Sequence, residues 1–175
     1  FELYLNDFNP ATRMLYCGAD SEVVRLIEGS NLDFIREKYD TPHFEVVDNQ
    51  SVIVHQGKAY TFAIFGKHNM QNMEAARKVC NALGIADDAF YQAMTTFEGA
   101  ARRFEKLSER DGFVAFRDFA HAPSKLKATL AGARKQFPNH KLIGVFELHT
   151  YSSLSAGFID QYSDTLAPCD ASAVF

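Results

Sequence analysis

The chain has 175 residues, a formal net charge of −4, 47% hydrophobic and 23% charged residues, which is enough apolar material for a core in one medium domain or two small ones. No apolar run approaches the roughly 20 residues that span a bilayer, no signal-peptide pattern is read at the start, and the acidic balance gives no general attraction to nucleic acid or anionic membrane surfaces. Cys17, Cys80 and Cys169 fall in no C-x-x-C spacing, which argues against a disulfide framework or a structural zinc site and points to a reducing, cytoplasmic compartment.

Residues 1 to 8 alternate loosely and fit either a helix or a strand, ended by Pro10. Arg13 to Cys17 reads as a short strand, Gly18 to Ser21 as a turn with a good N-cap, and Val23 to Ile27 as a short helix stopping at Gly29. From Phe44 to Ile64 the pattern is that of an antiparallel meander, FEVVD, SVIVH and KAYTFAIF, with Asp48-Asn49 and Gln56-Gly57 at its turns. At Gly66 the period becomes helical: Met70, Met73, Ala76, Cys80 and Leu83 recur at three or four residues, and Gly84 is the stop. Asp87 is placed as the cap of a second helix carrying Phe90, Met94 and Phe97. Glu98 to Glu105 then reads as a hinge.

Beyond the hinge strands and helices alternate. Strand 113–118 leads to helix 124–137, with Leu126, Leu130, Ala133 and Phe137 on one face, and strand 141–148 leads to helix 154–166; a last strand begins near Ser172. This predicts an α/β fold with a doubly wound, mostly parallel, Rossmann-like sheet. It is preceded by a part carrying the small β-meander. Lys125, Lys127, Arg134, Lys135 and Lys141 form a solvated basic face. Opening on Phe1 and closing on Ala173-Val174-Phe175, the chain is expected to be a piece of a longer protein.

Four polar clusters are candidates for chemistry. His68, Asn69 and Asn72 share one face near a helix N-terminus; their carboxamides suit an adenine edge, because an amide presents a donor beside an acceptor, while N-capping by Asn69 is the bland alternative. Arg102-Arg103 sits at the hinge, where a guanidinium fork suits phosphate, although such a pair is commonly a surface feature. Asp118 and His121 lie in the loop after a strand, where a carboxylate is well placed for ribose hydroxyls. The loop Glu147 to Ser153 leaves the next strand and is expected beside Asp118 and His121. Its histidines have no spacing that supports zinc.

In this order the clusters resemble motifs of the Mur ligases, ATP-dependent enzymes that add amino acids or peptides to UDP-N-acetylmuramate. The pattern G-x-H-N-x-x-N-x-x-A-A is similar to Gly66 to Ala76, F-x-G-x-x-R-R-[FL]-E to Phe97 to Glu105, and D-[YF]-A-H-x-P to Asp118 to Pro123, followed by Ala128-Thr129. Within the family the likeness leans towards murein peptide ligase, which attaches L-alanyl-γ-D-glutamyl-meso-diaminopimelate, and next to the L-alanine-adding ligase. Phe119 and Glu147 carry that lean. Glu147-Leu148-His149-Thr150-Tyr151-Ser152-Ser153 also lacks both arginines of the P-H-R-[YF]-[ST]-R loop found in the L-alanine ligase.

The resemblance implies roles. His68, Asn69 and Asn72 line the adenine side of an ATP site, Arg103 approaches the phosphates, Asp118 holds the ribose, and His121 lies near the reacting phosphate and substrate. Glu147, His149, Thr150 and Ser153 face the substrate. Residues 1–98 correspond to the end of a central ATPase domain and 99–175 to a truncated C-terminal domain. No G-x-x-x-x-G-K-[ST] is present, so the resemblance places the Walker A loop and the magnesium-binding residues upstream, and this piece alone is expected to be inactive. A non-catalytic nucleotide- or peptide-binding module is the rival. The folylpolyglutamate synthase branch, which lacks this combination of H-N-x-x-N and D-F-A-H, ranks third.

Overall fold

The structure is a computed structural model that describes residues 2–175; Phe1, which the first expected element included, lies outside the described residues. A short helix α1 (Glu2–Leu5) precedes β1 (Arg13–Cys17), α2 (Ser21–Glu28) and β2 (Ile35–Tyr39). The two strands pair in parallel from Arg13↔Ile35 to Cys17↔Tyr39, so this is a βαβ unit. Its helix starts where the Asp20 carboxylate accepts the Glu22 and Val23 amides, both at 3.1 Å, because the first amides of a helix have no partner within it. The Arg36 guanidinium donates to the carbonyls of Ile27, Ser30, Leu32 and Phe34 and so ties the far end of α2 to the strand. Leu5, Tyr16, Ile27 and Phe34 are buried between these elements.

The meander forms as expected: β3 (Glu45–Val47), β4 (Gln50–His55) and β5 (Lys58–Phe62) pair antiparallel in that order. Both turns have positive φ at their two central residues, 49° and 58° at Asp48-Asn49 and 49° and 81° at Gln56-Gly57, the handedness that two-residue hairpins need to match strand twist. Ile53, Tyr60 and Phe62 bury against Met70 and Met73 of α3 (Lys67–Ala82) and Phe90 and Tyr91 of α4 (Asp87–Met94).

Asp87 does not cap α4. Ala86 holds that position without a side-chain bond, and the Asp87 carboxylate accepts instead from Arg77 at 2.6 Å. The same guanidinium donates to both oxygens of the buried Glu74, at 2.6 and 2.8 Å. A charge-assisted bond is stronger than a bond to a neutral amide, so the carboxylate goes to the cation.

The second half contains a hairpin of which the sequence reading foresaw only the second strand, expected at 113–118. β6 (Glu105–Arg110) pairs antiparallel with β7 (Phe113–Arg117), turning at Asp111-Gly112, where Gly112 has φ of 73°. Helix α5 (Pro123–Gln136) follows with Pro123 in its first turn, a position whose missing N–H costs nothing. β8 (Ile143–Phe146) and β9 (Ala171–Val174) pair in parallel. The α/β class with parallel pairing stands, with the hairpin added to it.

The expected helix 154–166 is broken into a 3-10 turn at Ser152–Leu154, a short α6 (Ala156–Ile159) and a second 3-10 turn at Asp160–Tyr162. Serines and Gly157 are weak helix formers, and Leu154 and Ile159 both stay exposed, so no buried face enforces a longer helix. Arg134, grouped with the solvated lysines, donates to the carbonyls of Pro168 and His140 and to Asp170.

Several contacts join the halves, among them the Gln136 amide donating to the Asn49 carbonyl and Lys135 Nζ lying over the Phe44 ring. Gly132 of α5 meets Gly66 so closely that a Cβ on Gly132 would lie 3.3 Å from the Gly66 Cα. Beside them Phe65, Phe104, Phe116 and Phe137 form an aromatic knot, with Phe65–Phe104 and Phe104–Phe116 centroids both 4.3 Å apart and Phe116–Phe137 at 5.6 Å.

Candidate functional site

The site is built where the meander hands over to α3. Gly66 is the N-cap residue with φ of 85°, a backbone conformation open to glycine and costly to other residues, and its carbonyl accepts the Asn69 and Met70 amides. Asn69 is therefore not the cap. Its amide nitrogen donates to the Phe65 carbonyl at 2.8 Å, holding strand end and helix start together. Asn72, one turn on and exposed, lines an open cleft with Cys17, Asp20, Ser21, Tyr39 and Gln71. That cleft lies at the carboxyl ends of β1 and β2, the edge of a parallel sheet where ligands are bound.

His68 faces a second cleft of about 470 Å³, walled by Thr41, Gly66, Gln71, Ala128, Gly132 and Lys135. The two clefts share Ala19 and Gln71. Burial pushes the His68 imidazole below its usual pKa; the Asp118 carboxylate opposes that shift and the Arg103 guanidinium adds to it. The ring is thus held neutral near pH 7, and His68, Arg103 and Asp118, 50 positions apart at the extremes, share one electrostatic neighbourhood.

Asp118 follows β7. One carboxylate oxygen accepts the Phe104 amide at 2.7 Å and the other the Thr129 hydroxyl at 3.5 Å. A carboxylate has about four acceptor positions, so it retains capacity for a ligand hydroxyl. Arg103 is exposed and sits between Arg102 and Phe104, which have φ of 58° and 51°.

The loops after β7 and β8 do meet. Phe119 lies 5.0 Å from the His121 ring and 5.8 Å from the His149 ring, and the two imidazoles are 6.5 Å apart. His121 Nδ1 is 3.1 Å from the Phe119 carbonyl, and His149 Nδ1 is 3.3 Å from that of Glu147. Glu147 is exposed. Ser153 is buried and engaged with Thr150, donating to its carbonyl at 2.8 Å and accepting its amide at 3.1 Å. In this conformation these two side chains shape the loop.

Two features of the cleft suit a polar ligand such as a nucleotide: the Thr41 hydroxyl oxygen is buried without a hydrogen-bond partner among the described residues on its wall, and His68 there feels the opposed charges of one cation and one carboxylate. Sequence reasoning missed Thr41, Gly132 and Glu105. Only Glu105 stood inside a recognised pattern, and none lies in a spacing that by itself marks a site.

Fold and site together define an α/β protein with a cleft walled by the meander and α3 on one side and α5 on the other. No protein-family profile matches the chain. It is 37% identical over 111 residues to a UDP-N-acetylmuramate–L-alanine ligase of Roseiflexus sp., covering 63% of this chain and 24% of that protein. It is 31% identical over 180 residues to the ligase of the same name from Gloeobacter violaceus, covering 99% and 38%. The crystal structure of a murein peptide ligase from Psychrobacter arcticus shares the fold, with a TM-score of 0.61 at 15% identity, over 99% of this chain and 39% of that one. The chain belongs to the Mur ligase family. It spans between a quarter and two-fifths of the length of these curated relatives.

Proposed function

We propose that this chain is part of a cytoplasmic ATP-dependent carboxylate–amine ligase that joins an amino acid or peptide to UDP-N-acetylmuramate through an acyl phosphate, in peptidoglycan synthesis or recycling. The observation that carries the reading is the gathering of His68, Arg103 and Asp118 at the junction of residues 1–98 and 99–175, which are the end of a central ATP-binding domain and the start of a C-terminal one. ATP, held with magnesium mainly by residues outside this chain, supplies the phosphoryl group.

The chain's own residues bind and orient. His68, being neutral, accepts or donates a hydrogen bond without adding charge beside a base. Asn69 supports the helix start on which His68 and Asn72 stand, and Asn72 offers its carboxamide to the adenine edge. Arg103 neutralises phosphate charge, and Asp118 accepts from ribose. His121 lies close to the reacting groups. Positioning and charge neutralisation supply the rate enhancement, with the second lobe closing over the nucleotide.

The loop Glu147 to Ser153, with His149 and Thr150, selects the amine. Its lack of arginines, together with the acidic Glu147, favours a peptide such as L-alanyl-γ-D-glutamyl-meso-diaminopimelate, and the names of the curated relatives favour L-alanine as the second reading. Phosphate release by the full-length enzyme with UDP-N-acetylmuramate, assayed with L-alanine and separately with the tripeptide, decides between them. Turnover with the tripeptide alone is the expected result. Turnover with neither returns the protein to the class of binding modules.

A further inference from the structure

The turn that carries Arg103 is held in a costly conformation. Arg102 and Phe104, its two neighbours, both have left-handed backbones at φ of 58° and 51°, and a non-glycine residue there costs roughly 1 kcal/mol or more. Such a turn persists only where its surroundings over-determine it. Here each neighbour's amide is capped by a carboxylate: Glu105 Oε2 accepts the Arg102 N–H at 2.9 Å and Asp118 Oδ2 accepts the Phe104 N–H at 2.7 Å. The Arg102 carbonyl accepts the Phe119 amide at 2.8 Å, and the Phe104 ring is stacked on Phe116. Arg103 itself donates its amide to the Ala100 carbonyl and has an exposed side chain, whose charge adds to the lowering of the His68 pKa.

We infer that Glu105 is a positioning residue: by capping the Arg102 amide it locks the left-handed turn that presents Arg103 on the His68 side of the cleft. This rests on the ligase reading, in which Arg103 meets phosphate. The same Glu105 oxygen also accepts from Arg117 at 2.9 Å, across the Glu105↔Arg117 register of the hairpin. The Arg102 amide and Arg117 hold the Glu105 carboxyl below the usual carboxylate range, the amide contributing most, so the cap stays ionised at neutral pH. The ion pair with Arg117 is half exposed and of the kind that contributes little by itself; the cap is the part that acts on Arg103.

The test uses the full-length enzyme. Glu105→Ala is expected to lower kcat about tenfold, since displacing a positioned group by ~1 Å can cost up to a hundredfold, while KM for UDP-N-acetylmuramate stays unchanged. Glu105→Gln, whose carbonyl oxygen still accepts the Arg102 amide, restores most of the turnover. Arg117→Ala, which removes the ion pair and leaves the cap, behaves like the wild type. Glu105→Met keeps the bulk without an acceptor and repeats the test should the alanine variant fold poorly.

Wild-type turnover in Glu105→Ala or Glu105→Met beside an impaired Arg103→Ala overturns the positioning role and spares the ligase reading. An Arg103→Ala enzyme with wild-type kinetics overturns the role of Arg103 itself. A Glu105→Gln variant as impaired as Glu105→Ala, or an Arg117→Ala variant equally impaired, shows that the cap is not what acts.

Discussion

His68 is the residue on which the site's electrostatics converge, and it supplies a direct check of the geometry. Removing the carboxylate with Asp118→Asn should lower the imidazole pKa further, and removing the guanidinium with Arg103→Ala should raise it, since the two groups act in opposite directions. Titration of the ring proton by NMR reads both, and shifts of the same sign would mean that the three residues do not share a neighbourhood. The depressed pKa also has a consequence for stability. At pH well above 6.5 the ring is neutral folded and unfolded; as pH falls through the unfolded value the unfolded chain takes the proton first, so stability falls until the folded pKa is passed. His68→Gln should therefore flatten the decline of unfolding free energy below about pH 6.5. The identities of His68, Arg103 and Asp118 were legible in the sequence as family motifs. Their mutual influence was not, because no pattern records a distance between residues 35 and 50 positions apart. At Asn69 the sequence offered a helix cap or an adenine contact; the cap belongs to Gly66, and the Asn69 amide donates to the Phe65 carbonyl.

Among the elements, the start of α3 and the middle of α5 depend on each other through two glycines. Gly66→Ala places a Cβ about 3.1 Å from the His68 ring, in a backbone conformation that L residues rarely adopt. We expect a loss of about 1–3 kcal/mol of unfolding free energy, measured by urea denaturation, together with a perturbed His68 titration. An alanine variant as stable as the wild type would show that the helix start relaxes around the added methyl group. The helix and meander periodicities were readable, since buried faces repeat at 3.6 and 2 residues. β7 was expected as a strand at 113–118, but its partner β6 was overlooked: Glu105 to Arg110 is almost wholly exposed and shows no apolar alternation, leaving Asp111-Gly112 as the available signal. The broken segment 152–162 was overestimated for the converse reason, its apolar residues suggesting a buried face that the fold does not make.

At the scale of the whole molecule, the two halves are joined by the aromatic knot, the glycine contact, and the Gln136–Asn49 and Lys135–Phe44 contacts, with the His68 cleft walled by residues of both. If ATP lies there, Asp118→Ala in the full-length enzyme should raise the KM for ATP roughly tenfold or more, because a hydrogen bond to a charged group contributes about 1.5–3 kcal/mol, and should leave the KM for UDP-N-acetylmuramate unchanged. An unaltered KM for ATP would remove Asp118 from the ribose. The sequence by itself determined the class of fold, the family and the residue types at the site, because local periodicity, turn chemistry and spaced motifs are properties of neighbours along the chain. The tertiary structure alone decided that Asn69 bonds the Phe65 carbonyl while Asn72 lines an open cleft, that Asp118 and Glu105 clamp the backbone on either side of Arg103, and that Thr41 and Gly132 wall the His68 cleft. Those are consequences of which side chains and carbonyls compete for the same partner at 3 Å, a competition settled only once both lobes are packed.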